Sequence, residues 1–204
     1  MGTRARRERE KQDMKSAILD AATKIIIEEG YDKLSMRKIA EAIEYTPTTL
    51  YSYYKDKSEI IAGISKEMYL KIVNAVTNTL QDNKSLPINY QLKLSFIAFI
   101  NTMTSNAEMG KAVMNSGTDK LFGSNDESES DSDSGVLMLY ALLQEGQRQS
   151  VLRKLDENVA WMLITALLGF SMNAIESKLY LNGNWNDLVE TYVEILINGI
   201  QPIK

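Results

Sequence analysis

Residues 35–57 constrain the fold of this chain more than any other stretch, because their pattern predicts two short helices joined by a tight turn. Ser35 is a good N-cap for the first helix, since its hydroxyl can accept a hydrogen bond from a free backbone N–H. Ile39, Ala40 and Ile43 form an apolar stripe on one face of that helix. We expect the first helix to end near Ile43, where a three-residue break begins.

The second helix has a clear start signal and an unusual composition. Thr46 is its expected N-cap, and Pro47 occupies the first helical position, where no backbone N–H is needed. Leu50 is its single aliphatic residue before the expected end near Tyr54, so the helix presents polar side chains and contributes little to stability. We interpret residues 46–54 as the recognition helix of a helix-turn-helix, a motif that inserts its second helix into the major groove of DNA.

At these residues the chain resembles the tetracycline-repressor (TetR) family of bacterial regulators. The resemblance rests on R-K-I-A-x-x-I at residues 37–43, a short turn, and L-Y-x-Y-Y-K-x-K at residues 50–57, which is similar to the family's Leu-Tyr-x-His-Phe-x-x-Lys signature. It covers roughly the first third of the chain. Glu44 stands where the family usually has glycine, which implies either a turn without positive φ or a strained residue. Tyr53 stands where histidine is common.

Matching positions to this family implies DNA contacts for eleven residues. Arg37 is the candidate for a guanine contact, because a guanidinium donates two parallel hydrogen bonds. Pro47 starts a helix whose free N–H groups attract an anion. Thr48, Thr49, Ser52 and Tyr53 are expected near bases or sugars, and Ser35, Thr46, Tyr51, Lys55 and Lys57 near phosphates. A partly buried Tyr51 and a merely solvated Lys55 are the alternatives.

Missing residue types exclude several classes of enzyme and metal site. The 204-residue chain contains no histidine and no cysteine, so it lacks disulfides, Cys/His zinc sites and Ser-His-Asp or Cys-His nucleophiles. We expect no enzyme activity, no catalytic residue, no metal and no cofactor. We find no run of about 18 apolar residues and no secretory signal, so we expect a cytoplasmic protein without a membrane span.

The net charge of −4 is distributed unevenly along the chain. Residues 1–70 carry 13 Lys and Arg against 12 Asp and Glu, whereas residues 71–204 carry 10 against 15, so the acidity lies in the C-terminal part. Residues 1–11 are rich in arginine and lack an apolar period, which predicts a mobile basic arm. This arm either reaches DNA or is a solvated start to the first helix.

Helical periodicity, together with the absence of alternating or hairpin patterns, predicts an all-α fold. We expect about nine helices, at residues 12–29, 35–43, 46–54, 56–82, 88–104, 106–115, 135–149, 156–181 and 186–199. The first three form an expected DNA-binding domain at residues 1–55, which includes the basic arm. The remaining helices form an expected effector-binding and dimerisation domain at residues 56–204.

An acidic, serine-rich stretch at about residues 118–135 predicts a disordered loop inside the second domain. Its Asp126, Asp131 and Asp133 provide oxygen atoms of the kind that bind calcium. However, they lack the ligand spacing of an EF-hand, so we expect a solvated linker and no metal site.

Seven of the ten methionines lie at or beyond Met68. Methionine lines adaptable apolar pockets, although ordinary core filling explains any one of these residues. The family resemblance implies a pocket for a small hydrophobic effector, and the candidate lining is Met68, Tyr69, Phe99, Met103, Met114, Tyr140, Trp161 and Phe170. Asn101, Glu145, Asn173 and Glu176 are candidate polar selectors of the effector.

The two apolar helices at about 156–181 and 186–199 predict a homodimer, because two such helices from each chain can close a four-helix interface. The resemblance implies a ligand-responsive transcriptional repressor whose homodimer binds a palindromic double-stranded DNA operator and is released by the effector. The alternative is an all-helical small-molecule-binding protein or enzyme without a DNA-binding role. The lack of histidine and cysteine argues against turnover.

Overall fold

The computed structural model describes residues 3–116 and 134–202, and side chains for residues 5–112 and 135–202. Over these residues the protein has nine α-helices, two 3₁₀ turns and no strand, which confirms the predicted all-α class. The helices are α1 (Thr3–Glu29), α2 (Met36–Ala42), α3 (Pro47–Leu50), α4 (Lys57–Asp82), α5 (Ile88–Ser105), α6 (Ala107–Ser116), α7 (Ser134–Arg148), α8 (Val159–Glu176) and α9 (Trp185–Ile200). The 3₁₀ turns are Tyr31–Lys33 and Leu179–Leu181.

Helix α1 begins at Thr3, so of the two alternatives for residues 1–11 the structure has the solvated start to the first helix from residue 3 onward, and not a mobile arm. The side chains of residues 5–13 are exposed and gain nothing from packing. They are mostly Arg, Glu and Lys, which favour helix intrinsically. Arg6 also pairs with Glu10 at 2.8 Å, the i,i+4 spacing that supports an exposed helix. Apolar periodicity missed this segment because local propensity stabilises it.

Helix α8 is shorter than the predicted helix at 156–181. It ends at Glu176, and Lys178 then adopts a left-handed φ of 54° before the second 3₁₀ turn. The Asp156 carboxylate accepts the Asn158 backbone N–H at 2.9 Å, ahead of the first helical residue. Apolar residues continue through Leu179 and Leu181, so the sequence pattern concealed the break.

The described residues form two compact units. The first comprises the described residues through Met68 together with residues 108–116. Its fully buried side chains include Ile18 of α1, Ile39 of α2 and Leu50 of α3. The one aliphatic side chain of α3 is therefore committed to the core, which leaves the rest of that helix for the surface.

The second unit comprises residues 69–107 and the described residues from 134 onward. Its core is built from α5, α7, α8 and α9. By length and composition α8 could cross a membrane, but Leu163, Ile164 and Leu167 are buried in this core, which accounts for its apolar character equally well. The predicted acidic loop at about 118–135 lies outside the described residues, except for two final positions that belong to α7.

The turn between α2 and α3 is closed by Glu44, which has a left-handed φ of 60°. The Glu44 N–H donates to the Glu41 carbonyl at 3.2 Å, and the Tyr45 N–H donates to the Ala40 carbonyl at 2.9 Å. These two bonds form a Schellman motif, in which the residue after the helix usually is glycine because a Cβ is strained there. Of the two alternatives for Glu44, the structure therefore has the strained one.

Replacing Glu44 with glycine should stabilise the protein. The left-handed conformation costs a residue with a Cβ roughly 1–2 kcal/mol, and the greater freedom of unfolded glycine offsets roughly half of that gain. We expect Glu44→Gly to raise the free energy of unfolding by about 0.5–1 kcal/mol in urea denaturation. Glu44→Ala is the control, because it removes the carboxylate and keeps the Cβ. Equal stability of the two variants would contradict the strain assigned to Glu44.

Candidate nucleic-acid interface and apolar cavity

Helix α3 is only four residues long, so it consists of a single turn. The Thr46 hydroxyl accepts the Thr49 backbone N–H at 3.3 Å, and Pro47 occupies the first helical position, as the sequence predicted. Beyond Leu50 the chain continues in turns, and the Tyr54 N–H donates to the Leu50 carbonyl at 3.0 Å. The recognition segment at 46–54 is thus one capped helical turn followed by tighter turns.

Tyr54 anchors the end of this segment, a role that the sequence analysis did not assign. Its side chain is buried, and its hydroxyl donates to the backbone carbonyl of Lys15 in α1 at 3.3 Å. Burial raises the pKa of the Tyr54 phenol above its usual value. The signal in the sequence was the i,i+4 spacing of Leu50 and Tyr54, which puts two apolar side chains on one face.

The polar side chains of α2 and α3 lie at the surface around these anchors. Of the eleven residues predicted to contact DNA, Arg37, Thr46, Pro47, Thr48, Tyr51, Ser52 and Lys55 are exposed, and Ser35, Thr49, Tyr53 and Lys57 are half-buried. Tyr51 is 56% exposed, so its ring does not belong to the core. Tyr45, which is not among the eleven predicted residues, is 48% exposed and directly precedes the Thr46 cap.

Two cations of this surface already have partners within the protein. The Arg37 Nε donates to the Glu41 carboxylate at 2.8 Å, and this hydrogen bond raises the pKa of the guanidinium. The Lys57 ammonium lies 4.5 Å from the centre of the Tyr31 ring, a cation–π distance. Both contacts are at the surface, where such pairs contribute little and can be exchanged for a phosphate or base.

The start of α4 is held by reciprocal hydrogen bonds next to this surface. The Asp56 carboxylate accepts the Glu59 N–H at 3.0 Å, and the Glu59 carboxylate accepts the Lys55 N–H at 2.6 Å. This arrangement is a variant of the capping box. It fixes the backbone between Lys55 and Lys57, directly after the recognition segment.

The second unit contains an apolar cavity of about 70 Å³. Its lining comes from α4, α5, α7 and α8 and consists of Tyr69, Ile72, Val73, Val76, Ser95, Phe96, Phe99, Gly135, Val136, Met138, Leu139, Ile164, Leu167 and Leu168. Two of the eight predicted pocket residues, Tyr69 and Phe99, belong to it. The Tyr69 hydroxyl accepts the Gly135 N–H at 3.1 Å, so this ring bridges α4 and α7.

The other predicted pocket residues lie elsewhere. Met68 and Met103 are fully buried but do not line the cavity, and Tyr140 and Trp161 are exposed. Phe170 stacks on Tyr192 with ring centres 4.0 Å apart. The Met114 side chain lies outside the described part of the chain. Sequence periodicity identified these residues as apolar but could not decide which of them surround one cavity.

None of the four predicted polar selectors lines this cavity. Asn101, Asn173 and Glu176 are exposed. Glu145 pairs with Arg148 at 2.5 Å, and its hydrogen bonds to Arg148 and Gln149 lower the pKa of the carboxyl to about 2. Within residues 5–112 and 135–202 there is also no group of three or more acidic side chains that could hold a metal ion.

Helices α8 and α9 each carry an exposed apolar strip. Met162 is 63% exposed on α8, and Ile195 is 64% exposed on α9. Gly169 and Gly199 follow these residues along their helices, and no atom lies within 4 Å of a Cβ built at either glycine. The Tyr192 hydroxyl donates to the Ala166 carbonyl at 2.7 Å and joins the two helices.

Comparisons with known proteins agree with this geometry. Residues 18–64 match the family model for "Bacterial regulatory proteins, tetR family". An uncharacterized HTH-type transcriptional regulator of Mycobacterium tuberculosis is 29% identical over 106 residues, 52% of this chain and 47% of that protein. The biofilm operon icaADBC HTH-type negative transcriptional regulator IcaR of Staphylococcus epidermidis is 27% identical over 84 residues, 41% of this chain and 45% of that protein.

The fold is also similar to that of solved regulators. The fatty acid degradation regulator FadR from Bacillus halodurans superposes with a TM-score of 0.68 at 19% identity, covering 90% of this chain and 94% of that one. At this identity the likeness concerns the fold alone. The chain spans about half the length of the curated relatives it matches. The capped recognition turn and the Schellman turn both lie inside the matched residues 18–64, so this part of the chain is similar to the TetR family of bacterial regulatory proteins.

Proposed function

We propose that the protein is a ligand-responsive, DNA-binding transcriptional regulator that represses its target genes in the cytoplasm. The observation that supports this most strongly is the exposed face of α2 and α3, where hydroxyls and cations surround two buried anchors, Leu50 and Tyr54. A surface of this composition donates to phosphates and base edges. The negative regulation named for the Staphylococcus epidermidis relative supports repression in particular.

Selection of bound sequences from a random DNA pool tests this function. We expect enrichment of a palindrome, because two copies of one recognition segment read two equivalent half-sites about one helical turn apart, roughly 34 Å. The selection should be repeated at two salt concentrations, since phosphate contacts make all affinities salt-dependent. If no sequence is enriched over random DNA, the proposal fails, and an all-helical small-molecule-binding protein becomes the better description.

We predict different DNA-binding defects for Arg37→Ala and Lys57→Ala. A guanidinium that contacts a base contributes about 1–3 kcal/mol to discrimination, so Arg37→Ala should bind the selected site roughly 5- to 150-fold more weakly and random DNA almost unchanged. A lysine that contacts phosphate acts on all DNA, so Lys57→Ala should weaken both and reduce the salt slope by about 1. Fluorescence anisotropy with selected and scrambled duplexes measures both quantities.

The control for this comparison is Lys84→Ala, which removes an exposed charge from the second unit and should change neither affinity nor salt slope. Equal effects of Arg37→Ala and Lys57→Ala on the selected and scrambled duplexes would contradict the division into base and phosphate contacts.

The exposed strips of α8 and α9 are the proposed homodimer interface. Met162 and Ile195 supply apolar area, and Gly169 and Gly199 leave room for a partner helix at close distance. Two such helices from each chain close a four-helix interface under two-fold symmetry. A dimer also provides the two recognition segments that a palindromic operator requires.

Introducing a charge into this strip should dissociate the dimer. In Ile195→Asp a carboxylate would be buried without a partner at the interface, so we expect a shift from dimer to monomer at micromolar protein concentration and a roughly 10-fold or larger loss of operator affinity. Light scattering coupled to size exclusion measures the mass. Ile27→Asp is the matched control, because Ile27 is 59% exposed on α1 and lies outside the proposed interface. Dimeric Ile195→Asp would exclude this interface.

The apolar cavity is the proposed effector site, and a bound small hydrophobic effector lowers the affinity for DNA. A ligand changes this affinity only to the extent that it binds the free and the DNA-bound conformations differently. The cavity of about 70 Å³ is smaller than the roughly 300–1,000 Å³ of usual ligand pockets, so a larger effector has to displace lining side chains. The adaptable Met138 is the lining residue best suited to move.

A further inference from the structure

One polar group in the cavity wall has no hydrogen-bond partner. Ser95 lies in α5, lines the cavity and is 4% exposed. Its hydroxyl oxygen is buried and has no partner among the described residues. A buried hydroxyl that lacks a partner destabilises a fold, because it has lost its hydrogen bonds to water and gained none in exchange.

Several other helical hydroxyls of this protein avoid that cost, although the buried Thr23 hydroxyl of α1 also lacks a partner among the described residues. A helical serine or threonine can donate to the carbonyl four residues earlier. Among the described residues, examples with such a bond at 2.7–3.0 Å are Ser65, Thr79, Thr102, Thr104 and Ser171. The corresponding acceptor for Ser95 is the Gln91 carbonyl, and the structure has no bond between them. Ser95 is thus an exception on a helix where Thr102 and Thr104 follow the rule.

The remaining lining determines which ligand chemistry suits this hydroxyl. Tyr69 is the other side chain with a polar group among the lining residues, and its hydroxyl accepts the Gly135 N–H. No Asp, Glu, Lys or Arg is among these residues. A charged ligand group would therefore be desolvated here without a counter-charge, which is costly, whereas a neutral hydroxyl or carbonyl group would meet Ser95.

We propose that Ser95 is the polar anchor of this cavity, and that the cavity selects an uncharged, mainly apolar molecule carrying one hydrogen-bonding group, such as an alcohol or a ketone. The bound group exchanges a hydrogen bond with the Ser95 hydroxyl while its apolar part contacts the aliphatic and aromatic lining. The proposed selectivity is a property of the cavity alone. Only the statement that the bound molecule acts as an effector rests on the proposed function.

Three small molecules of similar size test the proposal: 1-butanol, n-pentane and butyrate. Titration of the full chain, followed by NMR of the Ile72 and Ile164 methyl groups that line the cavity, gives a Kd for each. We expect the preference for 1-butanol over n-pentane, taken as the ratio of their affinities, to be roughly 3- to 10-fold higher in the unmodified protein than in a Ser95→Ala variant, the value of one neutral hydrogen bond. We expect butyrate at neutral pH to bind more weakly than either.

The test variant is Ser95→Ala, and its matched control is Ser171→Ala, which removes a fully buried hydroxyl that donates to the Leu167 carbonyl at 2.8 Å. Ser95→Ala should lose this preference, because the alcohol hydroxyl would then be buried without a partner, whereas Ser171→Ala should keep it. Without ligand, Ser95→Ala should melt at the same temperature as the unmodified protein or higher, because it removes an unpaired group. Ser171→Ala should melt lower, because it loses a hydrogen bond.

Several results would overturn this assignment. They are an undiminished preference for 1-butanol in Ser95→Ala, butyrate binding tighter than 1-butanol, no binding of any of the three, and a melting temperature that falls in Ser95→Ala as it does in Ser171→Ala. The last result would mean that the Ser95 hydroxyl has an internal partner. None of these measurements involves DNA, so a protein that binds 1-butanol through Ser95 but enriches no DNA sequence would refute the proposed function alone.

Discussion

Burial of Leu50 and Tyr54 is the constraint on which the candidate DNA-binding surface depends. Helix α3 has four residues, far fewer than a helix needs for stability in water, so tertiary contacts and its Thr46 cap must hold it. Leu50 is fully buried, and the Tyr54 hydroxyl reaches the Lys15 carbonyl of α1. Because these two side chains point inward, the residues between and beside them are exposed or half-buried. The same spacing both anchors the segment and turns its polar face outward.

The turn before this segment is held by backbone hydrogen bonds instead of by buried side chains. Glu44 is held in a left-handed conformation by two backbone hydrogen bonds and by the helices on either side, at a cost that glycine would avoid. At the same surface, the Arg37 guanidinium donates a hydrogen bond to the Glu41 carboxylate, and the Lys57 ammonium lies over the Tyr31 ring. The interface is thus shaped by its backbone, while its cations keep weak, exchangeable partners at the surface.

The cavity of the second unit combines an apolar lining with a hydroxyl, that of Ser95, that has no partner in the described part of the chain. An entirely apolar cavity would accept ligands by size and shape only. A single hydroxyl without a partner adds selection for a hydrogen-bonding group, because a ligand that lacks such a group leaves the hydroxyl unpaired. The small volume then favours ligands whose apolar part is compact or can displace flexible side chains such as Met138.

The all-α class, most helix bounds to within a few residues and the capped start of α3 followed from the sequence, because periodicity, proline position and caps are local properties. The first turns of α1 were not predicted as helix, because their residues favour helix but form no apolar stripe. The end of α8 was predicted too late, because apolar residues continue beyond it. Which apolar residues share the cavity was decided by tertiary structure alone: Tyr69 and Phe99 meet there, whereas Phe170 stacks on Tyr192. A period of 3.6 residues tells which face of a helix is buried, but only the packing of four helices determines which buried side chains surround a space and leave the Ser95 hydroxyl without a partner.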